Sequence, residues 1–207
     1  MKALILVDIQ NDFIPGGALA VSGGDAVVPV ANALTRSGGF DLVVATQDWH
    51  PPGHESFAAS HDGREPGQVI DLHGLDQVLW PVHCVQESPG AEFVDALDTD
   101  AVDAVFRKGT DPAIDSYSGF YDNGRRKATG LGAWLTERGV TEVVVCGLAT
   151  DYCVKFTALD ALGEGFATTV VTDACRGVDL TPGDSERALE ALAAAGAVLA
   201  ESSALLG

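Results

Sequence analysis

The sequence predicts an α/β fold, a single-domain three-layer α/β/α arrangement around a mainly parallel sheet of about six strands. Three observations lead there. Short apolar runs alternate with stretches of helical periodicity along the 207 residues. The runs are continuous rather than alternating, as strands buried on both faces require. Asp8, Asp48 with His50, Lys108 and Cys153 each follow a different run at its carboxyl end, where open parallel sheets bind ligands.

Residues 3–7 (Ala-Leu-Ile-Leu-Val) read as the first buried strand, with Asp8 directly after it. Pro15-Gly-Gly17 marks a turn. From Asp25 to Arg36 the apolar spacing Val27, Val30, Ala31, Leu34 is helical, and Gly38-Gly39 ends it. Leu42 to Ala45 is a second strand, followed by Asp48-Trp49-His50. Residues from about 48 to 100 show little regular pattern and hold all five histidines. Irregular stretches longer than about 12–15 residues are uncommon in a compact domain and usually bind something, so a metal- or substrate-binding insertion is expected there. Val102 to Phe106 reads as a third strand with Lys108 just beyond it, and the polar loop Asp115 to Tyr121 follows. Thr129 to Arg138 is helical, with Gly139 placed to cap it. Val143 to Cys146 is the fourth strand, Thr168 to Val171 the fifth, Glu186 to Ala195 a helix, and Val198-Leu199 a last short strand.

Composition narrows the function. Twelve basic against 30 acidic residues give a formal charge of −18, which excludes the basic stripe a nucleic-acid binder needs and disfavours anionic membranes. No run approaches the ~18 apolar residues of a membrane span. The apolar N-terminal run stops at Asp8, shorter than the core of a signal peptide, so the expected compartment is the cytoplasm. The four cysteines include no CxxC pair and are expected as free thiols. The oligomeric state is left open, a homo-oligomer included.

The stretch Gly147-Leu-Ala-Thr-Asp-Tyr-Cys153-Val follows a strand and leads into a helical pattern. Cys153 is therefore expected in the first turn of a helix, capped by Thr150 or Asp151. Helix N-terminal charge and unpaired N–H groups lower a thiol's pKa and can hold an oxyanion, with Ala149 and Cys153 as candidate donors. The alternative is a buried cysteine packing as a small hydrophobe. A cysteine nucleophile needs a base and a cation, and Asp8 and Lys108 are apt for those roles in acyl transfer. Turn-forming and surface roles for these two residues compete with that reading. Asp48 and His50 are alternate residues of an extended segment and point the same way. With His83 they form a two-histidine, one-carboxylate set suited to Zn²⁺, Fe²⁺ or Mn²⁺, with His54 as a further candidate and His61 and His73 as bystanders.

These stretches, with Val7-Asp-Ile-Gln-Asn-Asp-Phe13, Thr46-Gln-Asp-Trp-His-Pro51, Trp80-Pro-Val-His-Cys-Val85, Phe106-Arg-Lys-Gly109 and Tyr117-Ser-Gly-Phe120, run in order over almost the whole chain. Together they resemble the nicotinamidases (pyrazinamidases) of the isochorismatase-like cysteine hydrolases. The resemblance implies a catalytic triad of Asp8, Lys108 and Cys153. It implies one divalent metal, zinc first, on Asp48, His50 and His83, and a cis Leu148–Ala149 bond. It implies a pyridine pocket walled by Phe13, Trp80 and Tyr117. The implied activity is hydrolysis of nicotinamide, and of pyrazinamide, to the ring acid and ammonia through a cysteine thioester, in NAD salvage. Another small-amide hydrolase on this fold and a non-catalytic metal- or pyridine-binding module are the rival readings.

Overall fold

The computed structural model describes residues 1–206. Six strands form one parallel sheet: β1 (Lys2–Val7), β2 (Leu42–Asp48), β5 (Ala104–Lys108), β6 (Glu142–Leu148), β7 (Ala167–Arg176) and β8 (Val198–Ala200). Their spatial order is β5-β2-β1-β6-β7-β8, every pairing parallel. The central strands explain the apolar runs. Residues 3–7 and 143–146 are buried without interruption, so layers cover both faces of the sheet. Each such valine, leucine or isoleucine contributes about 1.5–3 kcal/mol on burial, which outweighs any local preference in fixing these strands.

Four helices make the outer layers: α1 (Val27–Arg36), α2 (Leu131–Glu137), α3 (Lys155–Gly163) and α4 (Asp184–Ala194). Both α1 and α3 pack on β6 and β7, and α3 also packs on α4. Helix α1 buries Val27, Val28, Ala31 and Leu34, close to the face its spacing predicts. Helix α2 ends where Gly139 takes a φ of 72°, the left-handed cap that residue type supplies.

Two expectations need correction. Asp48 and Lys108 are the last residues of β2 and β5, paired with each other in register, and not residues beyond the strand ends. The apolar runs stop earlier because the strand tips carry the chemistry. The stretch after Asp48 also contains a hairpin, β3 (Val69–Leu72) and β4 (Leu75–Val78), antiparallel to each other. Its turn residues His73 and Gly74 have φ of 54° and 83°. Two positive values are the signature of the tight hairpin turn usually written with Asn-Gly, and a histidine at its first position conceals it.

The chain runs from β1 leftward to β2 and from β6 rightward to β7, so the order reverses between β1 and β6. The crevice at the carboxyl ends of these two strands is the topological switch point. Asp8 follows β1 and Cys153 follows β6.

Candidate functional site

The nucleophile turn departs from the simple helix start expected of it. After β6 the backbone passes a cis Leu148–Ala149 bond and winds a π-helical turn, Thr150–Val154, before α3 begins. Such wide turns recur at functional sites. No side chain caps this turn, so neither Thr150 nor Asp151 has the capping role. Gly147 has a φ of 127°, and a Cβ there would lie 2.1 Å from the Val7 carbonyl oxygen. Only glycine lets the two central strands approach closely at this level.

Cys153, Lys108 and Asp8 converge although 145 positions separate the first from the last in sequence (153 − 8). Lys108 Nζ lies 3.4 Å from Cys153 Sγ and 2.9 Å from Asp8 Oδ2. It donates to Asp48 Oδ1 at 2.9 Å and to the Ser116 carbonyl at 2.8 Å. Asp8 has a φ of 47°, a left-handed conformation that turns its carboxylate back over the strand end. Its Oδ1 accepts the Thr46 hydroxyl at 2.6 Å. Its Oδ2 faces the ammonium without an aligned hydrogen bond, so a lone pair stays free for a proton from the thiol.

Burial dominates the electrostatics. It pushes the Asp8 carboxyl up, with Lys108 opposing and the Asp48 charge adding to the rise. Burial would depress the Lys108 ammonium, but Asp48 and Asp8 outweigh it and hold that group well above the usual lysine range. Burial also pushes the Cys153 thiol well up, against Lys108. This direction is opposite to the lowering expected of a helix start: the buried side chain lies beside Asp8 and Asp48, whose charges add to the rise.

Asp48 joins this triad to the histidines. Its Oδ2 is 3.2 Å from His50 Nε2 and 3.5 Å from His83 Nε2. His50 Nδ1 is 3.0 Å from the Gly109 carbonyl and His83 Nδ1 is 2.8 Å from the Pro81 carbonyl. A carbonyl only accepts, so both Nδ1 atoms carry the proton and both Nε2 lone pairs face Asp48. The three ligand atoms lie within 4.8 Å of one another, and His50 Nε2 is buried with no hydrogen-bond partner. A tetrahedral ion with bonds of about 2.1 Å sets its ligands about 3.4 Å apart, so the set fits Zn²⁺. Burial would lower the His50 imidazole, but the neighbouring Asp48 charge outweighs it and raises that group. Gly109 is required here, since a Cβ would meet His50 Cε1 at 2.5 Å.

His54 packs its ring 4.4 Å from that of His50 but is not among the three residues whose ligand atoms gather. Its Nδ1 accepts the Ser56 N–H at 3.0 Å, and its Nε2 is buried without a hydrogen-bond partner. His61 bonds the Glu55 carbonyl and His73 the Glu55 carboxylate, both away from the cluster.

Phe13, Trp80 and Tyr117 line one narrow cavity with Asp48, His83, Ala149 and Cys153. The Trp80 Nε1–H donates to the Tyr117 hydroxyl at 3.3 Å, and Tyr152 meets both rings edge-on. The sequence reading missed Asp115, a buried carboxylate of the same cavity whose Oδ1 lies 4.0 Å from His50 Nε2. It also missed Thr46 and Gln10. Gln10 braces Asp48 through both its backbone N–H and its carbonyl at 2.8 Å. Gln10 and Asp115 both stand in polar stretches, where a single buried polar side chain leaves no spacing pattern.

A family model described as the isochorismatase domain matches residues 2–204. The chain belongs to the isochorismatase family. It is 54% identical over 201 residues to a nicotinamidase of Escherichia coli strain K12, covering 96% of this chain and 93% of that one. It superposes on a nicotinamidase/pyrazinamidase of Acinetobacter baumanii with a TM-score of 0.95 at 46% identity, covering 99% of this chain and 97% of the other. A pyrazinamidase of Pyrococcus horikoshii solved in complex with zinc matches at a TM-score of 0.78 and 42% identity, over 97% of this chain and 98% of that one. No helix among the described residues is long and apolar enough to cross a membrane.

Proposed function

We propose that this isochorismatase-family protein is an amidohydrolase that converts nicotinamide, and pyrazinamide, to the ring carboxylic acid and ammonia in the cytoplasm. The observation that carries the reading is the meeting of Asp8, Lys108 and Cys153 with the Asp48, His50 and His83 cluster in one aromatic cavity. The segment from about 48 to 100 acts as the metal- and substrate-binding part of a single domain. Asp48, His50 and His83 would hold a Zn²⁺ ion, which would supply a Lewis acid beside the aromatic cavity to orient the ring.

Asp8 Oδ2 takes the Cys153 proton as the sulfur attacks the carboxamide carbon. The raised Asp8 carboxyl suits this step, because a buried carboxylate is a stronger base, and Lys108 opposes the rise of the thiol. The tetrahedral oxygen accepts from the Ala149 and Cys153 N–H groups, each contributing about 2.7–4 kcal/mol. The C–N bond then breaks and Asp8 returns the proton to the leaving ammonia. Water, deprotonated by Asp8, attacks the thioester and releases the acid and the thiol. Lys108 stays charged throughout and holds both carboxylates in place. Ammonia release from nicotinamide and pyrazinamide tests the reading: turnover that is lost on chelation and restored by zinc is expected, and absence of turnover by the zinc-loaded protein overturns it.

A further inference from the structure

Asp151 has a side chain that neither the nucleophile turn nor the triad uses. It is buried and caps nothing in its own helix. Each carboxylate oxygen instead accepts one backbone N–H of a distant loop: Oδ1 from Val178 at 2.9 Å and Oδ2 from Asp179 at 2.8 Å. That loop leaves the end of β7 and is held from its far side as well. Asp179, at a φ of 50°, accepts both the N–H and the hydroxyl of Ser185 at 2.8 Å. At Gly177 a Cβ would lie 1.8 Å from Ser185 Oγ and 3.0 Å from Asp151 Oδ1, so the loop packs against both at a position where only glycine fits. The one side chain it presents to the cavity is Val178, beside Ala149, Tyr152 and Cys153.

We propose that Val178 sets how large a substituent the ring pocket admits, and that Asp151 is the positioning residue that fixes this wall to the turn bearing the nucleophile. The other apolar walls are Phe13, Leu19, Trp80 and Tyr117 on separate loops, and Ala149 and Tyr152 on the nucleophile turn itself. Val178 comes from a different loop, and its own N–H and that of Asp179 each make a charge-assisted bond to Asp151, two positions from Cys153, which ties this wall to the reacting sulfur. The inference rests on the amidase reading and deepens it.

The experiment compares kcat/KM for nicotinamide with kcat/KM for a set of ring-methylated nicotinamides, and reads the ratio within each variant. Val178→Ala removes two methyl groups and is expected to raise the ratio for at least one methylated isomer by about tenfold, the usual reach of a methyl-sized change in an apolar pocket. Val178→Leu should lower it. Asp151→Asn leaves one N–H without its carboxylate acceptor and should shift the ratio as Val178→Ala does, through KM more than kcat. In the Val178→Ala background it should add little, because both changes act on the same wall. A ratio unmoved for every isomer in both Val178 variants overturns the inference. So does an Asp151→Asn variant that loses all substrates equally, which is what loss of support without positioning produces. If Asp151→Asn does not fold, the opposite shifts of the two Val178 variants still decide. Wild-type protein inactive on nicotinamide overturns the functional reading and this inference with it, whereas activity with an unmoved ratio overturns the inference alone.

Discussion

At the scale of single residues, the site depends on one lysine and one carboxylate that each serve two masters. Lys108 contacts Asp8, Asp48 and Cys153, and Asp48 faces Lys108 with one oxygen and both histidines with the other. Substitution at Asp48 therefore damages the metal cluster and the triad together, whereas His50→Ala should remove the metal and raise KM while Cys153 keeps its ammonium. Metal content of purified His50→Ala protein checks this, and full occupancy would remove His50 from the ligand set. Asp8→Asn preserves shape and the Thr46 contact but has no proton to take or return. A loss of about 10²–10⁴-fold in kcat is expected from that change, measured by ammonia release. The Cys153 thiol gives a spectroscopic check. Because burial raises Cys153, the wild type minus Cys153→Ala difference spectrum at neutral pH should lack thiolate absorbance and gain it only in alkali. Asp8, Lys108 and Cys153 were readable in the sequence because each follows an apolar run. Asp115 and Thr46 were not, since one lies in an irregular loop and the other inside a strand where a threonine passes for a β-former.

At the scale of elements, the central strands were legible because burial on both faces writes an unbroken apolar run, as in Val143-Val-Val-Cys146. Their ends were not, because Asp48 and Lys108 stay in the ladder while their side chains leave the hydrophobic pattern. The β3–β4 hairpin was hidden for a related reason: Asp71 and Asp76 face each other across it, and only Leu72 and Gln77 are buried. The nucleophile turn was visible as a strand followed by a helix, but its π-helical winding and uncapped start were not. Gly147 holds this element against β1. Gly147→Ala forces a side chain onto the Val7 carbonyl at a φ that alanine disfavours, and should cost about 2 kcal/mol or more of stability. Urea unfolding measures this, and a midpoint equal to that of the wild type would contradict the close packing of β1 and β6.

At the scale of the whole molecule, the sheet order gathers residues from four strand ends at the one place where the winding reverses. Composition pointed away from nucleic acid, but it carried nothing about the site. The charge of −18 acts elsewhere, through self-repulsion of the folded chain. Added sodium chloride should therefore raise the thermal midpoint as exposed carboxylates are screened, and a falling midpoint would show that attractive surface pairs dominate instead. The central claim is that Cys153 is the nucleophile of an assembled triad. It is tested most directly by ammonia release from nicotinamide, comparing the zinc-loaded wild type with zinc-loaded Cys153→Ala at matched metal content. The account predicts a loss of at least about 10⁴-fold with zinc and fold retained. Turnover in the variant within tenfold of the wild type would contradict it.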